Sequence, residues 1–245
     1  QFHQELGGIE VVSACYHQRS FAKHSHKGYA INVIEQGTQK FLRSGQHYMA
    51  PKHSIIFVNA DDVHTGQAAT ADGWSYQGMY PQEAHFEKLA LDLGYGKNFA
   101  PYFPDAVVED PQMVNELRAL FSLLIESDNT LLRETMLYGV LTRLMVKHSK
   151  SRLNMKKLPL CHQRLAQVQQ YIHANLEQNI SLETLSQFTG ITPFYLVRQF
   201  QQLYGLPPHA YQIQQRLHKG RILLRKGLSV SHVAVELGFH DQSHF

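Results

Sequence analysis

The chain has 245 residues, 43% of them hydrophobic and 18% charged, a length that suits two domains and a composition that excludes disordered, collagen-like and low-complexity architectures. Its formal net charge of +3 is divided unevenly: residues 1–148 carry 12 Lys and Arg against 16 Asp and Glu, a net −4, while residues 149–245 carry 11 against 4, a net +7. Basic residues spread through helical sequence in one half are the electrostatic footprint of a nucleic-acid-binding domain, with a patch for an acidic protein as the other reading.

No apolar run approaches the ~20 residues that cross a bilayer, and Gln1 to Gly8 lacks the basic-then-apolar pattern of a signal peptide, so a cytoplasmic protein without membrane contact is expected. Cys15 and Cys161 offer neither a disulfide framework nor a zinc spacing, in keeping with a reducing compartment.

Residues 9–80 read as short β-strands with turn punctuation. Tyr29 to Glu35 and Thr38 to Arg43 flank Gln36-Gly37, a hairpin signal, and strands at Ser54 to Asn59 and Trp74 to Tyr80 follow. Short strands at this spacing favour a barrel or jelly roll, whose interior holds one small ligand. His24-x-His26 on one strand projects two imidazoles to one face, and His64 on a later strand offers a third. Three nitrogens would suit Zn, Fe or Ni, but hydrogen bonding to an effector, or a plain structural role, is the expected use of these histidines. Trp74, Tyr76 and Tyr80 share one strand face, where they wall an effector site or fill a core.

From Gln112 the period changes to helical. Met113, Val114, Leu117, Leu120, Phe121 and Leu124 form one stripe; Leu132, Met136, Leu137, Val140, Leu141 and Leu144 form another beyond Ser127-Asp128-Asn129-Thr130. Such a pair packs on the barrel and leaves Leu123, Leu131 or Met145 outward for a second subunit. Residues 149–160, basic, polar and containing Pro159, read as a linker.

The basic half repeats itself at a shift of 48. Ser181-Leu182-x-x-Leu185-Ser186-x-x-x-Gly190-Ile191 overlays Ser229-Val230-x-x-Val233-Ala234-x-x-x-Gly238-Phe239. Each copy starts with a serine placed to cap a helix, runs two turns and stops at a glycine able to take positive φ. The first copy continues with Thr192 as N-cap, Pro193 at the first helical position and a run to Tyr204 before Gly205: a helix-turn-helix, in duplicate. Leu196, Phe200 and Leu203 share one side of that second helix, leaving Phe194, Val197, Arg198 and Gln201 on the other. There the two apolar residues meet thymine methyls and Arg198 offers its fork to guanine, unless Phe194 and Val197 pack on a neighbouring helix. Between the copies, Ala210, Ile213, Leu217 and Leu224 suggest a connecting helix of ~28 Å, close to the ~34 Å between successive major-groove faces.

The segment from about Arg164 to Phe245 closely resembles the DNA-binding domain of the AraC/XylS family of bacterial transcription regulators. Arg216-Leu217 and the highly specific string Gly238-Phe239-x-Asp241-Gln242-Ser243-x-Phe245 carry that likeness. The resemblance implies that Phe194, Val197 and Arg198 read one groove segment and Gln242 and Ser243 the next, that RNA polymerase is a partner, and that the acidic half's helices make a homodimer. Two departures stand out: Gly220 replaces the family's usual alanine, at ~1 kcal/mol of helix propensity, and the sequence stops a few residues into the second reading helix, so the second unit is expected to be incomplete. His24-x-His26, Glu35-x-Gly37 and Pro51 through Val63-His64 more loosely resemble the cupin-type sensor domain of the same regulators. Cupin enzymes place a Glu four or five positions after the histidine pair, where this chain has Ala30-Ile31, so no metal and no other cofactor is expected.

The expected protein is therefore α+β and multidomain: a cupin-like barrel with a helical dimerisation pair (1–148), a linker (149–160) and an all-α double helix-turn-helix domain (161–245). It would be no enzyme but a regulator that binds promoter DNA and is controlled by a small-molecule effector at His24, His26, His64, Trp74, Tyr76 and Tyr80. The alternative is a metal-dependent cupin enzyme with a DNA-binding appendage.

Overall fold

A computed structural model describes residues 1–17, 19–93, 95, 99–150, 161–243 and 245. The chain divides into two compact units, one of Gln1–Glu126 with Val140–Lys156, the other of Ser127–Gly139 with Lys157–Phe245. The expected linker at 149–160 lies almost wholly outside the described residues.

The first unit is built on antiparallel strands β1 (Phe2–His3), β2 (Ile9–Tyr16), β3 (Ser20–His24), β4 (Ala30–Arg43), β5 (Gln46–Pro51), β6 (Ile55–Val58), β7 (His64–Ala68) and β8 (Trp74–Tyr80). A helix α1 (Glu83–Asp92), a short β9 (Val107–Val108) and a long helix α2 (Pro111–Glu126) follow. One sheet runs β1-β2-β8-β4-β6-β9 and the other joins β3, β7, β4 and β5, so β4 belongs to both. Gln36-Gly37 is therefore not the expected hairpin. It is a bulge inside a continuous 14-residue strand, where the register against β8 shifts and Gly37 takes φ +68°. The bulge bends β4 from one sheet into the other, and a Cβ at Gly37 would come within 2.1 Å of the Gly73 carbonyl oxygen. The real hairpin is at Ser44-Gly45, both at positive φ, between the paired Arg43 and Gln46.

Ile34, Phe41, Ile56, Val58, Trp74 and Tyr76 meet between the sheets. Under them lies a polar clamp: Arg43, 2% exposed, donates to Asp62 and to the carbonyls of Phe57 and Phe103. The stripe Met113, Val114, Leu117, Leu120, Phe121 and Leu124 is buried, as its spacing demands, with α2 lying against β4 and β8.

The second unit contains α4 (His162–Ala174), α5 (Leu182–Thr189), α6 (Pro193–Tyr204), α7 (Pro208–Arg225) and α8 (Val230–Glu236). It also takes in the first turns of α3 (Thr130–His148), whose later turns belong to the first unit. Leu165, Val168, Ile172, Leu185, Leu196 and Phe200 form its core, and Leu131 of α3 is fully buried among them. Leu131 was expected to face outward, as was Met145, which is 1% exposed; Leu123 is half-buried. Because α3 contributes to packed cores, the exposed apolar residues of this region are Ile125 and Val146 instead. Glu134 of α3 accepts the backbone N–H of Leu182, the first residue of α5, and Asn179 bonds the backbone of Asp128 and Thr130.

Both copies of the repeat fold alike. Ser181 and Ser229 accept the N–H of Thr184 and His232, and Gly190 and Gly238 turn the chain at φ +65° and +73°. The connecting helix departs from its apolar pattern. Its buried side is Pro208, Tyr211, Gln212, Arg216 and Gly220, while Leu217 is 38% exposed. Arg216 donates to the carbonyls of Leu176, Gln178 and Gly238, and Gln212 to those of Leu176 and Gln178, so hydrogen bonding rather than hydropathy sets this face. Gly220 also finds its reason: a Cβ there would lie 2.5 Å from the Phe245 ring and 3.0 Å from Leu237.

Candidate effector cavity and nucleic-acid interface

The interior of the first unit keeps a cavity of about 110 Å³ between its sheets. Strand alternation builds its floor: Tyr76, Gly78 and Tyr80 share one face of β8, and Asn32 of β4 stands directly across from Gly78. With no side chain at Gly78, the Asn32 amide lies where a Cβ would otherwise be, 1.9 Å from its Oδ1. Apolar walls come from Phe21, Ala30, Phe41, Ile56 and Val58.

His24, His26 and His64 come together at this cavity, their ring centroids 4.2, 4.9 and 6.2 Å apart. Each turns Nδ1 to a backbone carbonyl two residues away: His24 to Ala22 at 2.8 Å, His26 to Gly28 at 2.6 Å, His64 to Asp62 at 2.9 Å. A carbonyl only accepts, so Nδ1 carries the hydrogen, and in the neutral ring Nε2 is the acceptor. Burial, reinforced by repulsion from His24 and His26, lowers the His64 pKa to about 4 despite the Asp62 carbonyl bond. Among the described residues, no set of three or more His, Cys, Asp or Glu is arranged to hold a metal ion.

Tyr76 and Tyr80 also line the cavity, 3.4 Å apart at their hydroxyls, and burial raises both phenol pKa values. Trp74 does not line it. Its indole packs among Tyr16 and Phe21, at 5.2 and 6.4 Å, and fills the core, because β8 begins at the bulge where the sheets close together. Sequence reasoning passed over Asn32 and Gln39, which line the cavity with buried amide oxygens that have no hydrogen-bond partner among the described residues. Asn32 left a readable trace, a lone amide inside Ala30-Ile31-Asn32-Val33-Ile34.

In the second unit, α6 begins at Thr192-Pro193 and ends at Gly205 in left-handed conformation. Leu196 and Phe200 are buried, Leu203 packs against the same core, and Arg198 and Gln201 are exposed. Phe194 is half-buried beside Tyr195, and Val197 packs partly on the core, so the outward face is more polar than its wheel implies. In the second copy Gln242 is exposed. Ser243 returns both its N–H and its hydroxyl to Asp241, and no helix follows Gly238 among the described residues.

The chain is similar to known proteins over most of its length. A family model described as an AraC-like ligand binding domain matches residues 6–141, and one described as a helix-turn-helix domain matches residues 185–245. The chain is 24% identical over 226 residues to the HTH-type transcriptional regulator YbfI of Bacillus subtilis (strain 168), covering 92% of this chain and 82% of that one. It is 25% identical over 232 residues to the HTH-type transcriptional activator RhaS of Enterobacter sp. (strain 638), covering 93% and 83%. Among solved structures, ToxT from Vibrio cholerae aligns over 97% of this chain and 91% of its own at 12% identity, with a TM-score of 0.43.

Proposed function

This chain belongs to the AraC family of ligand-binding, helix-turn-helix transcription regulators, and from that premise we propose how its parts divide the work. Residues 1–148 form the effector-binding and dimerisation part, 149–160 the link and 161–245 the reader. α6 lies in a major groove with Arg198, Gln201, Phe194 and the exposed edge of Val197 toward the bases, and Gln242 and Ser243 approach the next groove segment. His24, His26, His64, Tyr76 and Tyr80 hold the effector. A ligand that binds two states of the regulator unequally shifts its operator affinity by that difference. The regulator acts in the cytoplasm as a homodimer, contacts RNA polymerase and catalyses no reaction.

The observation that carries this reading is the pair of capped, glycine-terminated helices repeating at 48 residues, the first followed by a helix that presents an arginine and a glutamine. Gel retardation with genomic fragments at modest ionic strength tests it. A preferred DNA segment that outcompetes random DNA is the expected result, and uniform retention of all fragments overturns it.

A further inference from the structure

The two copies of the repeat meet at one side chain. Arg216, midway along α7 and 4% exposed, divides its guanidinium between them. Nε donates to the carbonyl of Leu176 and Nη2 to that of Gln178, both in the loop that leads into the first copy, while Nη1 donates to the carbonyl of Gly238, where the second copy turns. The donors of a guanidinium lie in one plane at fixed angles, so three carbonyls bonded to it are fixed relative to one another.

The backbones close in around this junction. A Cβ at Gly238 would collide with the carbonyl of Glu177, the residue between Leu176 and Gln178, so the second turn lies directly against the loop before the first copy. The next ring along the chain, Phe239, lies 5.5 Å from the guanidinium carbon. Gln212, one turn earlier on α7, also donates to Leu176 and Gln178, and so ties α7 to the first copy. The 18 residues of α7 by themselves set only a distance between the two units. Their rotation about that axis is left to contacts that bridge them, and buried bonds to backbone carbonyls resist sliding more than apolar faces do.

We propose that Arg216 is a positioning residue for DNA recognition: by holding the loop before α5 and the turn at Gly238 on one guanidinium, it fixes the spacing and rotation of the two base-reading segments, and with them the number of base pairs allowed between two half-sites. This rests on the reading of both copies as DNA readers. One base pair inserted between half-sites moves them apart by about 3.4 Å and turns one against the other by about 34°. A welded pair of readers cannot follow that change, and a loosened pair can.

The test starts from the DNA segment preferred by the full chain, with its two half-sites located by footprinting and base substitution, and measures affinity for versions with one base pair added or removed between them. The parent loses at least tenfold on each respaced segment. Arg216→Lys and Arg216→Gln, checked for the parent's circular dichroism, lose less than threefold on respacing, so that the preference flattens. Gln212→Leu gives up donors to the same first-copy carbonyls but keeps the Arg216 bond to Gly238; it melts at a lower temperature and retains the parent's spacing preference. A parent indifferent to respacing overturns the proposal. So does a full spacing penalty in both Arg216 variants, or a flattening in Gln212→Leu as large as theirs, which would make the effect one of general loosening. A parent that prefers no DNA segment at all removes the underlying reading together with the proposal, whereas a preferred segment whose spacing the Arg216 variants still demand removes the positioning role alone.

Discussion

The guanidinium of Arg216 donates to the carbonyl of Gly238 at 2.9 Å, tying the middle of the connecting helix to the glycine that ends the second repeat. The same side chain, 4% exposed, bonds the carbonyls of Leu176 and Gln178 and lies 5.5 Å from the Phe239 ring. Arg216→Met leaves three carbonyls without this donor. The expected cost is about 2–4 kcal/mol in the helical unit, measured by urea unfolding. Arg216→Lys recovers only part of it, since an ammonium cannot reproduce the planar fork; full recovery by lysine would show that charge alone matters there.

Arg198 is exposed on α6, opposite the buried Leu196 and Phe200. Arg198→Ala is expected to weaken specific DNA binding by about 1–3 kcal/mol and to relax preference at one base pair. Equal losses on specific and random DNA would mark Arg198 as a phosphate contact.

The repeat, its serine caps and its glycine stops were legible because each is a local device: a hydroxyl three residues before an N–H, or a residue without Cβ where φ is positive. The strands were legible as strands, but Gln36-Gly37 carries the same signal as a hairpin turn, and only the long-range pairing of β4 with β8 and β7 decides for a bulge. The burial of Leu131, and of Arg216 in place of Leu217, depends on what packs against each helix, which periodicity along one helix does not encode. At the cavity, histidines and tyrosines draw the eye by their chemistry, whereas Gln39 looks like any polar strand residue until its oxygen is found buried.

Gly37→Ala tests the bulge. The added Cβ meets the Gly73 carbonyl at 2.1 Å in a backbone region that L side chains rarely adopt. A loss of roughly 2 kcal/mol or more from the barrel unit is expected in thermal unfolding. Gly45→Ala, also at positive φ but with open space around it, isolates the backbone part of that cost.

Acid should weaken the barrel unit. His64, held by burial at a pKa of about 4, and His85, lowered by burial as well, stay neutral when folded at pH values where the unfolded chain is protonated. Stability is complete above pH 6.5 and declines as pH falls from 6.5 toward 4, by up to about 1.4 kcal/mol per pH unit for His64. His64→Gln flattens that slope in a series of melting curves. An identical slope in the variant would assign the acid lability to other groups.

Helix α3 sets a rule for anyone dissecting this regulator. Trimming the reader to begin at residue 149 or 161 deletes the carboxylate of Glu134 that receives the Leu182 amide, and empties the space Leu131 fills. A fragment begun at Ser127 keeps both, so its failure to bind DNA would speak of recognition rather than of an unravelled scaffold.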